Sequence, residues 1–257
     1  MSNFEPSARK LFIPFATGCV GLGGVGLIFR DFALQWQPVP AGLPFYQSLA
    51  LASALLLITG GAMLWFVKTR TVAATILAIY FATWMLVLHL PRVLMAPTNV
   101  SMWLGLSEIG ALAAGALAIA GEARQSRTML VAARILLGAC AIVFGASHFT
   151  YAAFTATMVP KWIPAPVFWA YATGTGHTLA GLALLSGIRS RIAALALAAM
   201  CGAFVVLLHL PRVIATPSSH AEWTMLCMAL LIAGAALATA AAPERRATAV
   251  RDKKVSN

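Results

Sequence analysis

The pentapeptide His89-Leu90-Pro91-Arg92-Val93 returns unchanged as His209-Leu210-Pro211-Arg212-Val213. Each copy places an imidazole and a guanidinium inside apolar sequence, where ionisable residues are costly and mark function. His148, with Tyr151 one turn beyond it, His177 and the carboxylate Glu108 are embedded in the same way. An imidazole exchanges protons near neutral pH, and a guanidinium favours an anion. That chemistry suits a quinone headgroup: His148 and His209 would hydrogen-bond it or exchange its protons, and Arg212 would favour the reduced anion. The same two histidines could instead be axial ligands of a haem. That reading is the weaker one, because lone histidines in membrane bundles more often serve as hydrogen-bonded structural residues. No HxxxH or CxxC spacing supports zinc, and Cys19, Cys140, Cys201 and Cys227 are isolated, so a thiol–disulfide relay has no reactive centre. No nucleophile motif, phosphate loop or dinucleotide fingerprint is present.

Both pentapeptides carry a proline one residue before the arginine. Proline cannot donate to the helix ladder and biases its predecessor away from helix, so the span should kink or end there and free carbonyls for the arginine. A structural reading follows, in which His and Arg cap a broken helix end and snorkel to the headgroups. Glu108 is expected to pair with His89 or Arg92, which enter the adjacent helix at a similar depth. The position 120 residues beyond Glu108 is Met228, whereas His148 and His177 correspond to Ile28 and Leu57. The first half therefore holds an acid–base pair, with Arg30-Asp31 near its rim. The second holds three histidines and is the better place for a site. His220 is expected in an outer loop, where it should matter little.

The shift of 120 also aligns Pro97 with Pro217, Trp103 with Trp223, Val39-Pro40 with Val159-Pro160 and Gly61 with Gly181. This length exceeds the common solenoid units and reads as a small domain copied in tandem. The 257 residues are 61% hydrophobic and 10% charged, with mean hydropathy +0.86, which only an integral membrane protein fits. The net charge of +11 sits in short clusters without interleaved aromatics, which argues against nucleic acid. Apolar runs near 11–34, 45–67, 71–94, 101–121, 129–153, 164–187, 191–213 and 222–242 each have about the length of a bilayer crossing. The first is too long for a signal peptide and lacks a small-residue cleavage site. The expected fold is all-α: a polytopic membrane protein of eight transmembrane helices in two parallel four-helix repeats, 1–123 and 124–243, with a basic tail, 244–257.

Arg9, Lys10, Lys68, Arg70, Arg124, Arg127, Arg189, Arg191 and the tail lie on one side, so both termini are expected in the cytoplasm. The tail is expected to be disordered and drawn to anionic lipid heads. With this orientation His209 lies roughly 27 Å up its span and His148 reaches almost the same level, near the outer surface. His177 is the exception, expected near or below the midplane.

Gly145-Ala146-Ser147-His148-Phe149, then Met158-Val159-Pro160-Lys161-Trp162-Ile163-Pro164, Phe168-Trp169 and Thr173 to Leu182 resemble the DoxX-like membrane family. The resemblance implies a four-helix unit with a GxxHF-type end to its first helix, a proline-rich outer loop and a small-residue second helix. It covers the second half well and the first half weakly. Many family members have an acidic residue where this chain has His177, so no role transfers to that position. The family takes its name from a subunit of a thiosulfate:quinone oxidoreductase, and some relatives join membrane redox complexes. The resemblance thus implies a bacterial inner-membrane protein, in contact with lipid and with a quinone and a redox partner protein as further partners. Two other functions stay open: a non-enzymatic scaffold or assembly partner, and a small-solute transporter. The transporter is favoured by parallel repeats but lacks paired broken helices at the midplane.

Overall fold

The computed structural model of the protein describes residues 11–244, and its regular elements are all helical. Arg9, Lys10 and all of the basic tail but Glu244 lie outside the described residues. The chain begins with α1 (Ile13–Phe29), a 3-10 turn at Leu34–Trp36, α2 (Tyr46–Leu64) and α3 (Val67–Trp84). A π-turn, Met85–His89, leads into α4 (Leu90–Met95), followed by α5 (Val100–Ala123). Next come α6 (Arg127–Thr150), α7 (Ala152–Met158), α8 (Pro166–Ser186) and α9 (Ser190–Phe204). A second π-turn, Val205–His209, precedes α10 (Leu210–Ala215), and α11 (His220–Thr239) closes the described chain.

Six helical rods are long and apolar enough to cross a membrane: α2, α3 with α4, α5, α6, α9 with α10, and α11. Helices also form over the apolar runs 11–34 and 164–187, but they fall short of a full apolar crossing. α1 has 17 residues and spans about 26 Å. α8 has 21 residues but carries Thr173, Gly174, Thr175, Gly176, His177 and Thr178 through its middle, which lowers its hydropathy.

The pentapeptides do not end their helices. Pro91 and Pro211 sit at the starts of α4 and α10, and each rod runs on to Met95 or Ala215. A proline lacks an N–H and its ring crowds the carbonyl four residues back. The widened π-turn just before it answers both problems: Leu90 N–H bonds Met85 O and Leu210 N–H bonds Val205 O. Such turns swell the helix locally and re-aim the side chains within them, which is why they recur at functional sites.

The following helices start alike. Asn99 accepts from Ser101 N–H at the head of α5, and Ser219 accepts from Glu222 N–H at the head of α11. Trp103 and Trp223 donate their indole N–H to the carbonyls of Pro97 and Pro217 at 2.8 and 2.9 Å.

α5 and α11 pack on each other in the centre, and α5 is mostly buried. α1 packs on α2 and α11, while α6 packs on α8 and α5. The first helix of each sequence half therefore leans on the last helix of the other, and packing crosses the 123/124 boundary. Close approach depends on small residues: a Cβ on Gly115 would lie 2.5 Å from that of Ala235. Phe15, Leu77, Phe81, Leu112 and Leu231 anchor one core, and Leu137, Phe144, Leu184 and Leu197 another. Outside, Ile28, Phe66, Val67, Ile79, Leu94, Ile188 and Ile214 are exposed, an apolar exterior suited to lipid.

Candidate functional site

In the first half the site is built by the chain between α1 and α2. Leu34 takes a left-handed backbone, φ +48°, which an L residue adopts at a cost. The turn it opens carries Trp36 and Gln37 inward, and both are buried. The Trp36 indole N–H donates to Glu108 Oε2 at 2.8 Å, and its carbonyl accepts from His89 Nε2 at 3.1 Å. His89 therefore carries a proton on Nε2, and Glu108 joins it only through Trp36. Glu108 thus has neither His89 nor Arg92 as its direct partner, contrary to the sequence expectation. The inward turn puts an indole between the two helices, and Arg92 is exposed on α4.

Gln37 extends the polar interior. Its Oε1 accepts from Ala33 N–H at 2.9 Å, while its Nε2 donates to Tyr80 at 2.5 Å and to Ser53 at 3.3 Å. Tyr80 and Ser53 share a further hydrogen bond of 2.6 Å. Asp31 Oδ1 accepts from Phe32 N–H at 2.7 Å and from Tyr46 OH at 2.6 Å. None of Trp36, Gln37, Ser53, Tyr80 and Tyr46 was legible as a site from spacing. The one available signal was Gln35-Trp36-Gln37, three hydrogen-bonding side chains beside a proline-rich loop.

In the second half His148 and His177 face each other, ring centroids 5.0 Å apart. His148 Nδ1 donates to Phe144 O at 2.9 Å, which leaves Nε2 as its other polar atom. His177 is 4% exposed and lies between Phe144 and Phe204, with centroids at 5.4 and 6.3 Å. Its Nδ1 is buried without a hydrogen-bond partner. The expectation that His177 sits well below His148 is corrected. His148 stands in the last turn of α6, yet it lies against Gly174 in the middle of α8, one turn from His177. Glycines permit the approach: a Cβ on Gly174 would lie 2.8 Å from that of His148.

The remaining second-half residues stand apart from that pair. The ring contacts joining Phe144, His148, His177 and Phe204 include neither His209 nor Tyr151. His209, on the π-turn, has its Nδ1 buried without a partner. Arg212 donates to Glu222 Oε1 from Nε at 3.1 Å and from Nη2 at 2.9 Å, so it binds a carboxylate rather than freed helix carbonyls. Tyr151 caps α6, its N–H bonding Ser147 O. His220 is not a loop bystander. It opens α11 and stacks on Phe29 at 4.5 Å and 9°. Arg134, unnoticed in the sequence, is buried in α6 with its guanidinium against Gly187, whose φ of +78° and missing side chain make the space. Among the described residues no group of three or more His, Cys, Asp or Glu could hold a metal ion.

No curated protein and no solved structure matches this chain. The model of the DoxX family matches residues 129–210, the stretch holding His148, His177 and His209, so this part of the membrane protein is DoxX-like.

Proposed function

We propose that the protein is a quinone-linked subunit of a bacterial inner-membrane redox system, with its headgroup site beside His148 and His177. The observation that carries this reading is the facing pair itself: two imidazoles at 5.0 Å, one with a buried nitrogen that has no partner. A quinone presents two carbonyl oxygens that become hydroxyls on reduction, so it needs neighbours able both to donate and to accept a proton. His148, anchored through Nδ1, keeps Nε2 for that work, and Phe144 and Phe204 supply the apolar walls a headgroup ring needs. His209 and Arg212 stand apart from the histidine pair, and Arg212 is already held by Glu222. The DoxX match over residues 129–210 supports placing the activity in this half.

The polar groups of the first half favour a structural role there. His89, Trp36 and Glu108 satisfy one another, and that self-contained set is what a packing or docking element requires. We further read the chain as two parallel four-helix halves, 1–123 and 124–243, crossing the membrane eight times with both termini in the cytoplasm. The paired π-turns and the matching starts of α5 and α11 support this reading.

The test is the quinone content of purified protein by lipid extraction. Losing one hydrogen bond of about 1.5 kcal/mol weakens binding about tenfold, and a lowered quinone content is expected for His148→Ala and for His177→Ala. His89→Ala is expected to leave quinone content unchanged while lowering stability. If the wild-type protein carries no quinone and both second-half variants fold and assemble normally, the redox reading falls and a scaffold remains.

A further inference from the structure

A small cavity lies where the chain after α1 meets α2 and the first residue of α11. Its volume is about 10 Å³, room for about one water molecule. Asp31, Gln37, Ser53 and His220 give it a polar lining, and Val25 and Leu57 belong to its apolar wall. Buried polar atoms in a membrane bundle must find partners inside the protein. The hydrogens can therefore be followed one by one.

Gln37 Oε1 is turned to Ala33 N–H, so both hydrogens on its Nε2 are committed to Tyr80 and Ser53. Tyr80 and Ser53 share a 2.6 Å bond in which either hydroxyl can donate; because Tyr80 oxygen already accepts from Gln37, we assign its own hydrogen to Ser53 Oγ. The Ser53 hydroxyl hydrogen is left to donate into the cavity that Ser53 lines. On another wall the His220 Nε2 is buried without a partner, its ring held by the stack on Phe29. The Asp31 carboxylate is fixed through Oδ1 by Phe32 and Tyr46 and keeps further lone pairs.

We propose that this cavity is a binding site for a single water molecule. The water accepts from Ser53 and donates to His220 Nε2 and to the Asp31 carboxylate, and three bonds is the usual number for a buried water. His220 then carries its proton on Nδ1. The water ties α11 to α2 and to the turn that carries Trp36 and Gln37 inward. It is independent of the quinone reading, since neither His148 nor His177 takes part.

The experiment is an experimental map of the full-length protein in lipid nanodiscs, at a resolution that reveals ordered water. One peak is expected about 2.6–3.2 Å from Ser53 Oγ, His220 Nε2 and the Asp31 carboxylate. Ser53→Ala and His220→Phe each remove one partner, and the phenyl ring keeps the stack on Phe29. The peak is expected to be lost in both, with the Gln37–Tyr80 bond retained. A dry wild-type cavity overturns the proposal, as does a peak with oxygen contacts of about 2.3–2.6 Å, the signature of a bound cation. A direct His220–Asp31 bond filling the space, or a peak unchanged in both variants, overturns it too. Should a variant fail to fold, the wild-type map alone decides.

Discussion

Changing Trp36 to Phe keeps an aromatic ring in the inward turn but removes the N–H that reaches Glu108 at 2.8 Å. The bond from His89 to the Trp36 carbonyl is to the backbone and is retained. Two costs combine in this variant. The smaller ring leaves space at a residue only 5% exposed, and cavities destabilise by about 24 cal/mol per Å³. The lost hydrogen bond adds about 1.5–3 kcal/mol if its acceptor is charged, whereas pairs inside membrane bundles average about 0.6 and reach about 1.7 kcal/mol. A double-mutant cycle separates the two. Glu108→Met installs the residue found 120 positions later, at Met228, and removes the acceptor. In the cycle of Trp36→Phe, Glu108→Met and the double variant, the cavity contribution cancels and a coupling of about 1 kcal/mol is expected. The assay is reversible unfolding in mixed micelles, followed by far-ultraviolet circular dichroism so that loss of an indole does not alter the probe. A coupling below about 0.3 kcal/mol, the level of ordinary additivity, refutes the bond and with it the role of Trp36 as the bridge between Glu108 and His89.

Gly145→Ala sets a Cβ 2.8 Å from the backbone oxygen of Gly174, so α6 and α8 must part; a loss of about 1–3 kcal/mol is expected in the same assay. Gly24→Ala, where nothing lies within 4 Å of the added carbon, is expected to be neutral or stabilising by about 0.5–1 kcal/mol. Reporter fusions after residue 125 and at the C-terminus are both expected to report the cytoplasmic side, and a split result ends the reading of two parallel halves.

Composition and hydropathy were enough to read an all-helical membrane protein, because crossing a bilayer demands runs of a known length whatever the neighbours are. The pentapeptide copies marked the two places where the helix widens, since a proline perturbs its own helix by local chemistry. Sequence alone did not reveal that the helix would absorb the proline as a π-turn and run on, because that outcome depends on the partners available to the rest of the rod. The pairing of polar groups was decided entirely by packing. His148 met His177 because glycines let α6 and α8 approach, a consequence of helices side by side. Trp36, Gln37 and His220 looked like loop residues, and only the path of the chain over α2, α5 and α11 turned them inward. Periodicity reports what one helix wants of its surroundings. Which polar atom faces which is a property of the gaps between helices, and those exist only once the bundle has formed.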